Sequence, residues 1–238
     1  MYLSWKEQTI TDFSTQSIEF MYNQGYVFTR TGKGNMKQTR SLRIDLRKFE
    51  LSSENKRILK KAADLHVSVE PVPYMDYTWR IHKMGKDFYE KKFGPKTFSA
   101  QKIKELMTDT NNSNFNRVFV YDLSLPIPEK TEANPYPEDP IGYCIVLETT
   151  NLIHYCYPFY NLAPAAYPQN SNVGMSMMLK AILRAQEYNK QYIYLGSAQR
   201  PSDTYKLQFA GLEWFDGTEW KTNFDELKTI LQSLNNAT

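Results

Sequence analysis

Residues 117–195 constrain the fold more than any other part of the chain. Three stretches there read as strands, Arg117–Leu123, Ile141–Glu148 and Leu152–Tyr160. A strong helix, Met175–Tyr188, and a further strand, Tyr192–Leu195, follow them. Thr149-Thr150-Asn151 is a natural hairpin turn between the second and third strands, and the proline- and acid-rich "PIPEKTEANPYPEDP" separates the first from the second as an exposed loop. The order β-β-β-α-β predicts an α+β sandwich in which a central helix feeds a strand that ends at a cleft.

Upstream, a helix is expected from about Ile10 to Gln24. Strands Tyr26–Arg30 and Leu42–Leu46 follow it, around a Gly-Lys-Gly turn at Gly32–Gly34. Ser52 or Ser53 can cap the helix "SENKRILKKAADLH", where Ile58, Leu59, Ala62, Ala63 and His66 form an apolar stripe. The prolines of "VEPVPY" mark a linker, so the division expected is a basic N-terminal α/β subdomain over residues 1–70 and a larger domain over 71–238. A helix over Asp76–Lys92 and a short one from a Ser99 cap to Met107 complete the middle. Trp214 and Trp220 flank a Phe215-Asp216-Gly217 turn, ahead of a last helix over Asn223–Leu234.

The chain has 238 residues, 41% of them hydrophobic, enough for a real core. No apolar run approaches the roughly 18 residues of a membrane span, and "MYLSWKEQTITDF" has neither a basic nor an apolar leader region. The expectation is therefore a cytoplasmic protein, away from membranes. Cys144 and Cys156 are then reduced core thiols, and the three histidines, His66, His82 and His154, show no metal-ligand spacing. Charge is distributed unevenly. Residues 1–110 carry 20 basic and 13 acidic side chains, and Arg30–Lys61 alone carries 11 basic and 3 acidic. Such a segment is the footprint of a phosphate-backbone contact, or a solvated charged face.

Two stretches carry possible chemistry. Gly174 stands at the entry to the helix Met175–Tyr188, whose first N–H groups and dipole favour an anion; an ordinary turn glycine is the other reading. In "QYIYLGSAQRPSDTYKLQF" a buried strand ends at Gly196, where a ligand can approach the backbone. Tyr205 can then stack on a base and Lys206 can hold a phosphate or a carbonyl oxygen. Alternatively, Tyr205 and Phe209 belong to the core and Lys206 to solvent.

The segments "YIYLG", "YKLQF" and "LEWFDGTEW" resemble the C-terminal signature of arginyl-tRNA–protein transferases and their bacterial leucyl-transferring relatives. "NVGMSMMLKAILRAQE" is similar to that family's helix start, and "YCYPFYNL" to its aromatic stretch. "NQGYVFTRTGKG" with "TRSLRIDLRKFELSSENKRILKK" resembles its N-terminal glycine turn, Arg-containing strand and basic helix. Two departures stand out. Asn35–Thr39 holds no cysteine where the family carries a cysteine cluster, and the link from Gly196 to Tyr205 is short. The resemblance implies a GNAT-like, acetyltransferase-type mixed sheet flanked by helices. It also implies transfer of an amino acid, Arg or Leu, from aminoacyl-tRNA to the N-terminal α-amine of a protein, marking it for degradation. The charged tRNA is the co-substrate, with no further cofactor and no metal. Tyr205, Lys206 and Asp203 would be catalytic, with Glu148 another proton acceptor. Arg30, Lys33, Lys37, Arg40, Arg43, Gly174, Tyr194, Gly196 and Phe209 would bind tRNA or the acceptor. Two other functions fit the same fold: an acyl-CoA-dependent N-acetyltransferase, disfavoured by the single glycine at 169–176, and a non-catalytic relative that binds tRNA or protein N-termini.

Overall fold

The computed structural model describes residues 3–123, 139–162 and 172–233. It has the expected α+β class, a large mixed sheet flanked by helices, and divides into two compact units. One comprises Met1–Ser52, Thr149–His154 and Ala185–Thr238, the other Ser53–Glu148 and Tyr155–Arg184.

The first unit opens with a small antiparallel sheet of β1 (Lys6–Thr9), β2 (Tyr26–Phe28) and β3 (Asn35–Gln38), ordered β1-β3-β2. Between β1 and β2 lies α1 (Thr15–Asn23). The helix starts at Thr15 rather than Ile10 because Ser14 caps it, its Oγ accepting the Ser17 N–H at 3.2 Å. Gly34 has φ +78, and a Cβ there would come within 2.1 Å of the Ile10 carbonyl oxygen, so glycine is required where the Gly-Lys-Gly turn meets the chain entering α1. β3 was not foreseen. Its "NMKQ" is polar, and backbone pairing on both edges rather than apolar alternation holds it.

The larger strands of this unit run in the order β11-β10-β4-β9-β8. They are β4 (Ser41–Asp45), β9 (Tyr192–Ser197), β10 (Leu212–Phe215), β11 (Trp220–Lys221) and the start of β8 (Leu152–Tyr160). β4 is buried along its whole length, with Leu42 and Ile44 on one face and Arg43 and Asp45 on the other. β9 pairs antiparallel with β4 and parallel with β8, the latter over Leu152–His154 only. After β9 come a 3-10 helix (Pro201–Gln208) and α6 (Asp225–Ser233).

The second unit carries α2 (Ser53–Lys61), β5 (Leu65–Pro71), α3 (Trp79–Phe93), α4 (Ala100–Thr108), β6 (Arg117–Leu123), β7 (Gly142–Glu148), the rest of β8 and most of α5 (Val173–Glu187). Its strands run β8-β7-β6-β5. α3 and α4 pack closely where Gly85 faces Ile103, since a Cβ on Gly85 would come within 2.7 Å of Ile103 Cδ1. Ser99 caps α4 as expected. Cys144 and Cys156 are free thiols, and burial raises the pKa of both.

Two expectations fail here. His66 is not on a helix: α2 ends at Lys61, and His66 stands in β5 opposite Asp122. The "VEP" of the expected linker also belongs to β5. Val67 and Val69 favour an extended backbone, and β5 is the last strand in its order, so Pro71 costs no ladder hydrogen bond. Most of the loop expected before β7, residues 126–138, lies outside the described residues.

Candidate functional site

The candidate site is the end of β9 in the first unit. Gly196 sits there with φ +77, and nothing lies within 4 Å of where a Cβ would stand. The strand runs one residue further, to Ser197, which pairs with Ser41 across a register shift in β4. The Ala198 N–H then donates to the Arg40 carbonyl at 2.8 Å. Arg40 returns over the same place, its Nη1 donating to the Ala198 carbonyl at 3.2 Å, and burial lowers the pKa of this guanidinium.

The polar run after β9 folds on Asp203. Pro201 begins the 3-10 helix, where a missing N–H is harmless. Asp203 Oδ2 accepts the N–H groups of Gln199 and Arg200, each at 2.9 Å. Its Oδ1 lies 3.1 Å from Lys206 Nζ, which also donates to the Ser197 carbonyl at 3.1 Å. Lys206 is only 9% exposed, so neither the solvated lysine of the plainer reading nor a free-swinging phosphate ligand describes it. It fastens the loop to the strand end. Hydrogen bonds occupy both oxygens of Asp203, which makes that carboxylate a brace more readily than a base. Tyr205 points outward, 45% exposed, its ring centre 5.8 Å from Lys206 Nζ. Phe209 turns into the core against Phe49.

Other residues singled out from the sequence lie elsewhere. Arg43 is buried opposite Glu213 on one neighbouring strand and Tyr194 on the other. Its Nε donates to Glu213 at 2.8 Å and its Nη1 to Asn23 at 3.1 Å, while the rings of Tyr192 and Trp220 face the guanidinium at 4.0 and 3.9 Å. So many contacts make Arg43 part of the core rather than a phosphate ligand. Tyr194, fully buried beside it, meets Tyr22 edge-on, and burial pushes its phenol up to about 12. Lys37 pairs with Glu7 at 2.8 Å on β3, Lys33 lies over the Phe13 ring at 5.0 Å, and Arg30 is half-buried just after β2. In the second unit, Gly174 falls inside the first turn of α5 rather than before it, with the Tyr160 ring against its Cα, and Glu148 is engaged by Arg117 at 3.2 Å.

Sequence reasoning missed two features. His154, buried on β8, lies 2.8 Å from Tyr22 Oη through Nδ1; burial, then the charge of Lys206, pushes its pKa down to about 3. A lone histidine in an apolar strand gave no signal. Gln199 was hidden inside a run of polar residues. Its side-chain amide grips the backbone of Leu3: Oε1 accepts the Leu3 N–H at 2.9 Å and Nε2 donates to the Leu3 carbonyl at 3.2 Å.

Chemically, the end of β9 presents the Arg40 guanidinium, anchored on the Ala198 carbonyl, while the buried Lys206 ammonium is held by the Ser197 carbonyl and Asp203. Beside them are a glycine open to close approach and an exposed phenol ring. That is an anion-holding surface with a stacking platform. Among the described residues no group of three or more His, Cys, Asp or Glu side chains could hold a metal, and no helix is long and apolar enough to cross a membrane.

The fold defines a class, that of α+β proteins with a large mixed sheet flanked by helices. No protein-family model matches the sequence, and no curated protein matches it. Among solved structures the chain is similar to L-PGS from Bacillus licheniformis, at 10% identity and a TM-score of 0.44, covering 77% of this chain and 52% of that one. It is also similar to FemX, at 9% identity and a TM-score of 0.40, covering 78% and 60%. A conserved Staphylococcus epidermidis protein aligns at 11% identity with a TM-score of 0.38, covering 88% and 68%. The chain thus spans about half the length of L-PGS.

Proposed function

We propose that this chain is an aminoacyl-tRNA–protein transferase, moving an amino acid, Arg or Leu, from charged tRNA to the N-terminal α-amine of an acceptor polypeptide in the cytoplasm and so tagging it for degradation. The ordered sequence resemblance motivates the reading. The observation that carries it is the placing of the Arg40 guanidinium at the end of β9, beside Gly196 and the exposed ring of Tyr205. In the reaction the amine nitrogen attacks the ester carbonyl carbon and a C–N bond forms. The bond to the ribose oxygen breaks, and the proton shed by the amine passes to that oxygen. The ester is already activated, so holding amine and ester in register supplies most of the acceleration. Arg40 is suited to the phosphates or the developing oxyanion at the tRNA 3′ end and Tyr205 to stacking on its terminal base, while Lys206, paired with Asp203, holds the loop that carries Tyr205. Arg30, Lys33 and Lys37 extend the positive surface along the tRNA backbone.

A transfer assay tests this. The chain is incubated with a pool of radiolabelled aminoacyl-tRNAs and peptides that differ only in their first residue. Label moving onto a peptide supports the reading and names donor and acceptor together. Tight, salt-sensitive tRNA binding without transfer replaces it with a non-catalytic binder. Stabilisation by acetyl-CoA but not by tRNA replaces it with acyl-CoA chemistry. Lys206→Ala is a poor probe, because it would leave Asp203 unpaired in a tight place. Tyr205→Ala is the better one: its exposed ring contributes little to folding, so transfer should fall at least about tenfold with Tm unchanged.

A further inference from the structure

The outer edge of β5, in the second unit, is complementary to itself. β5 is the last strand in its order, and its seven register pairs with β6 run without a bulge. No glycine or lysine interrupts Leu65–Pro71, and only Pro71, at its end, blunts the edge. The Val72 N–H donates to the Asn116 carbonyl at 3.1 Å, one step beyond the Pro71–Arg117 pair. Backbone direction alternates along a strand. His66, Ser68 and Glu70 therefore also turn their N–H and C=O groups to β6, and Leu65, Val67, Val69 and Pro71 turn theirs outward. Two outward positions offer no donor: the Leu65 N–H returns to the Ala62 carbonyl at 3.1 Å, and proline has no N–H. Val67 and Val69 are left with both N–H and C=O on the outer edge, and among the described residues no further strand lies there. Their side chains are half-buried, whereas His66 and Ser68, on the opposite face, are exposed.

We propose that two copies of this chain join edge to edge through β5, antiparallel about a two-fold axis at Ser68. With Ser68 on the axis, Val67 of each copy opposes Val69 of the other, and all four N–H groups find a carbonyl. Neighbouring registers do worse. An axis at Val67 sets Val69 against Leu65 of the second copy, whose N–H is already taken, and Glu70 against Asp64. An axis at Val69 sets Val67 against Pro71, which cannot donate. The Ser68 register also places His66 opposite Glu70 twice, a ring N–H donor facing a carboxylate, while His66 keeps its place opposite Asp122 in its own chain. Val67 and Val69 pair across the axis on the other face. Such cross-strand pairs are the unit of sheet stabilisation. The surface lies in the second unit and does not depend on any reaction at the end of β9.

The test is sedimentation equilibrium of the full chain up to about 100 μM, enough to populate a dimer of micromolar affinity. A monomer–dimer equilibrium is expected. Ser68→Lys puts two like charges at the axis from an exposed position, and should weaken the dimer at least about tenfold with the circular-dichroism spectrum unchanged. Val69→Pro removes two of the four donors at an edge position that tolerates proline, and should do the same. His66→Glu should weaken the dimer by opposing carboxylates, and adding Glu70→Lys should restore it. Ser68→Cys reads the register. Residues at such a non-hydrogen-bonded pair have Cα atoms about 4.5 Å apart, within disulfide reach. This variant should cross-link as a dimer under oxidised glutathione, and the unmodified chain, with no cysteine on β5, should not. A chain that stays monomeric at the highest concentration overturns the proposal. So does a dimer that folded Ser68→Lys and Val69→Pro chains leave intact, or one that Ser68→Cys fails to cross-link.

Discussion

Arg43 and His154 show how far a single side chain's meaning depends on its neighbours. In the sequence Arg43 is one of 11 basic residues in a basic segment; in the fold its charge is matched by Glu213 and its plane covered by Tyr192 and Trp220. Arg43→Ala leaves Glu213 without its closest partner, and urea denaturation should show a loss of about 3 kcal/mol or more. Arg43→Lys should recover little of it, because an ammonium keeps the charge and loses both the fork and the stacking plane. His154 predicts a pH effect. Its folded pKa of about 3 lies below the ordinary 6.5, so the unfolded chain takes up a proton as pH falls below 6.5 while the folded chain stays neutral until about 3. Stability is therefore lost as pH falls through that window, by about 2 kcal/mol between pH 7 and pH 5 from this group. His154→Gln should be less stable at pH 7, and its denaturation midpoint should vary less with pH than that of the unmodified chain.

Among the elements, those with strong local signals were legible. β6 and β8 occupy the spans their apolar patterns indicate, and the Ser99 cap fixes the start of α4. What could not be read locally was set by partners. β1 and β3 are polar strands that exist through each other's backbone, and β5 is a strand because β6 offers it an edge. The site followed the same rule. The sequence left Tyr205 open between an exposed ring and the core and gave Arg40 only as one of a basic run. Their places beside the end of β9, like the burial of Lys206 against Asp203 three residues earlier on a 3-10 helix, are set by the fold and announced by no periodicity. The caps are testable in their own right: Ser14→Ala and Ser99→Ala should each cost about 1 kcal/mol in denaturant unfolding, with no change in the slope of the transition.

For the molecule as a whole, the excess of positive charge in the first 110 residues predicts how tRNA binding should respond to salt. If Arg30 and Lys33 each meet one phosphate, replacing either by Gln should flatten the plot of log affinity against log salt by about one unit, with equal effect on tRNAs of different sequence. The distribution of tryptophans has another consequence. Trp214 is buried with its Nε1 donating to the Asn223 carbonyl at 2.8 Å, and Trp220 lies under Arg43, both in the first unit. Trp79, in the second unit, is 56% exposed. Intrinsic emission is therefore a private reporter of one unit: it should redden when that unit opens and stay nearly silent when the other does, so that a lag between the fluorescence and circular-dichroism curves would time the two events separately.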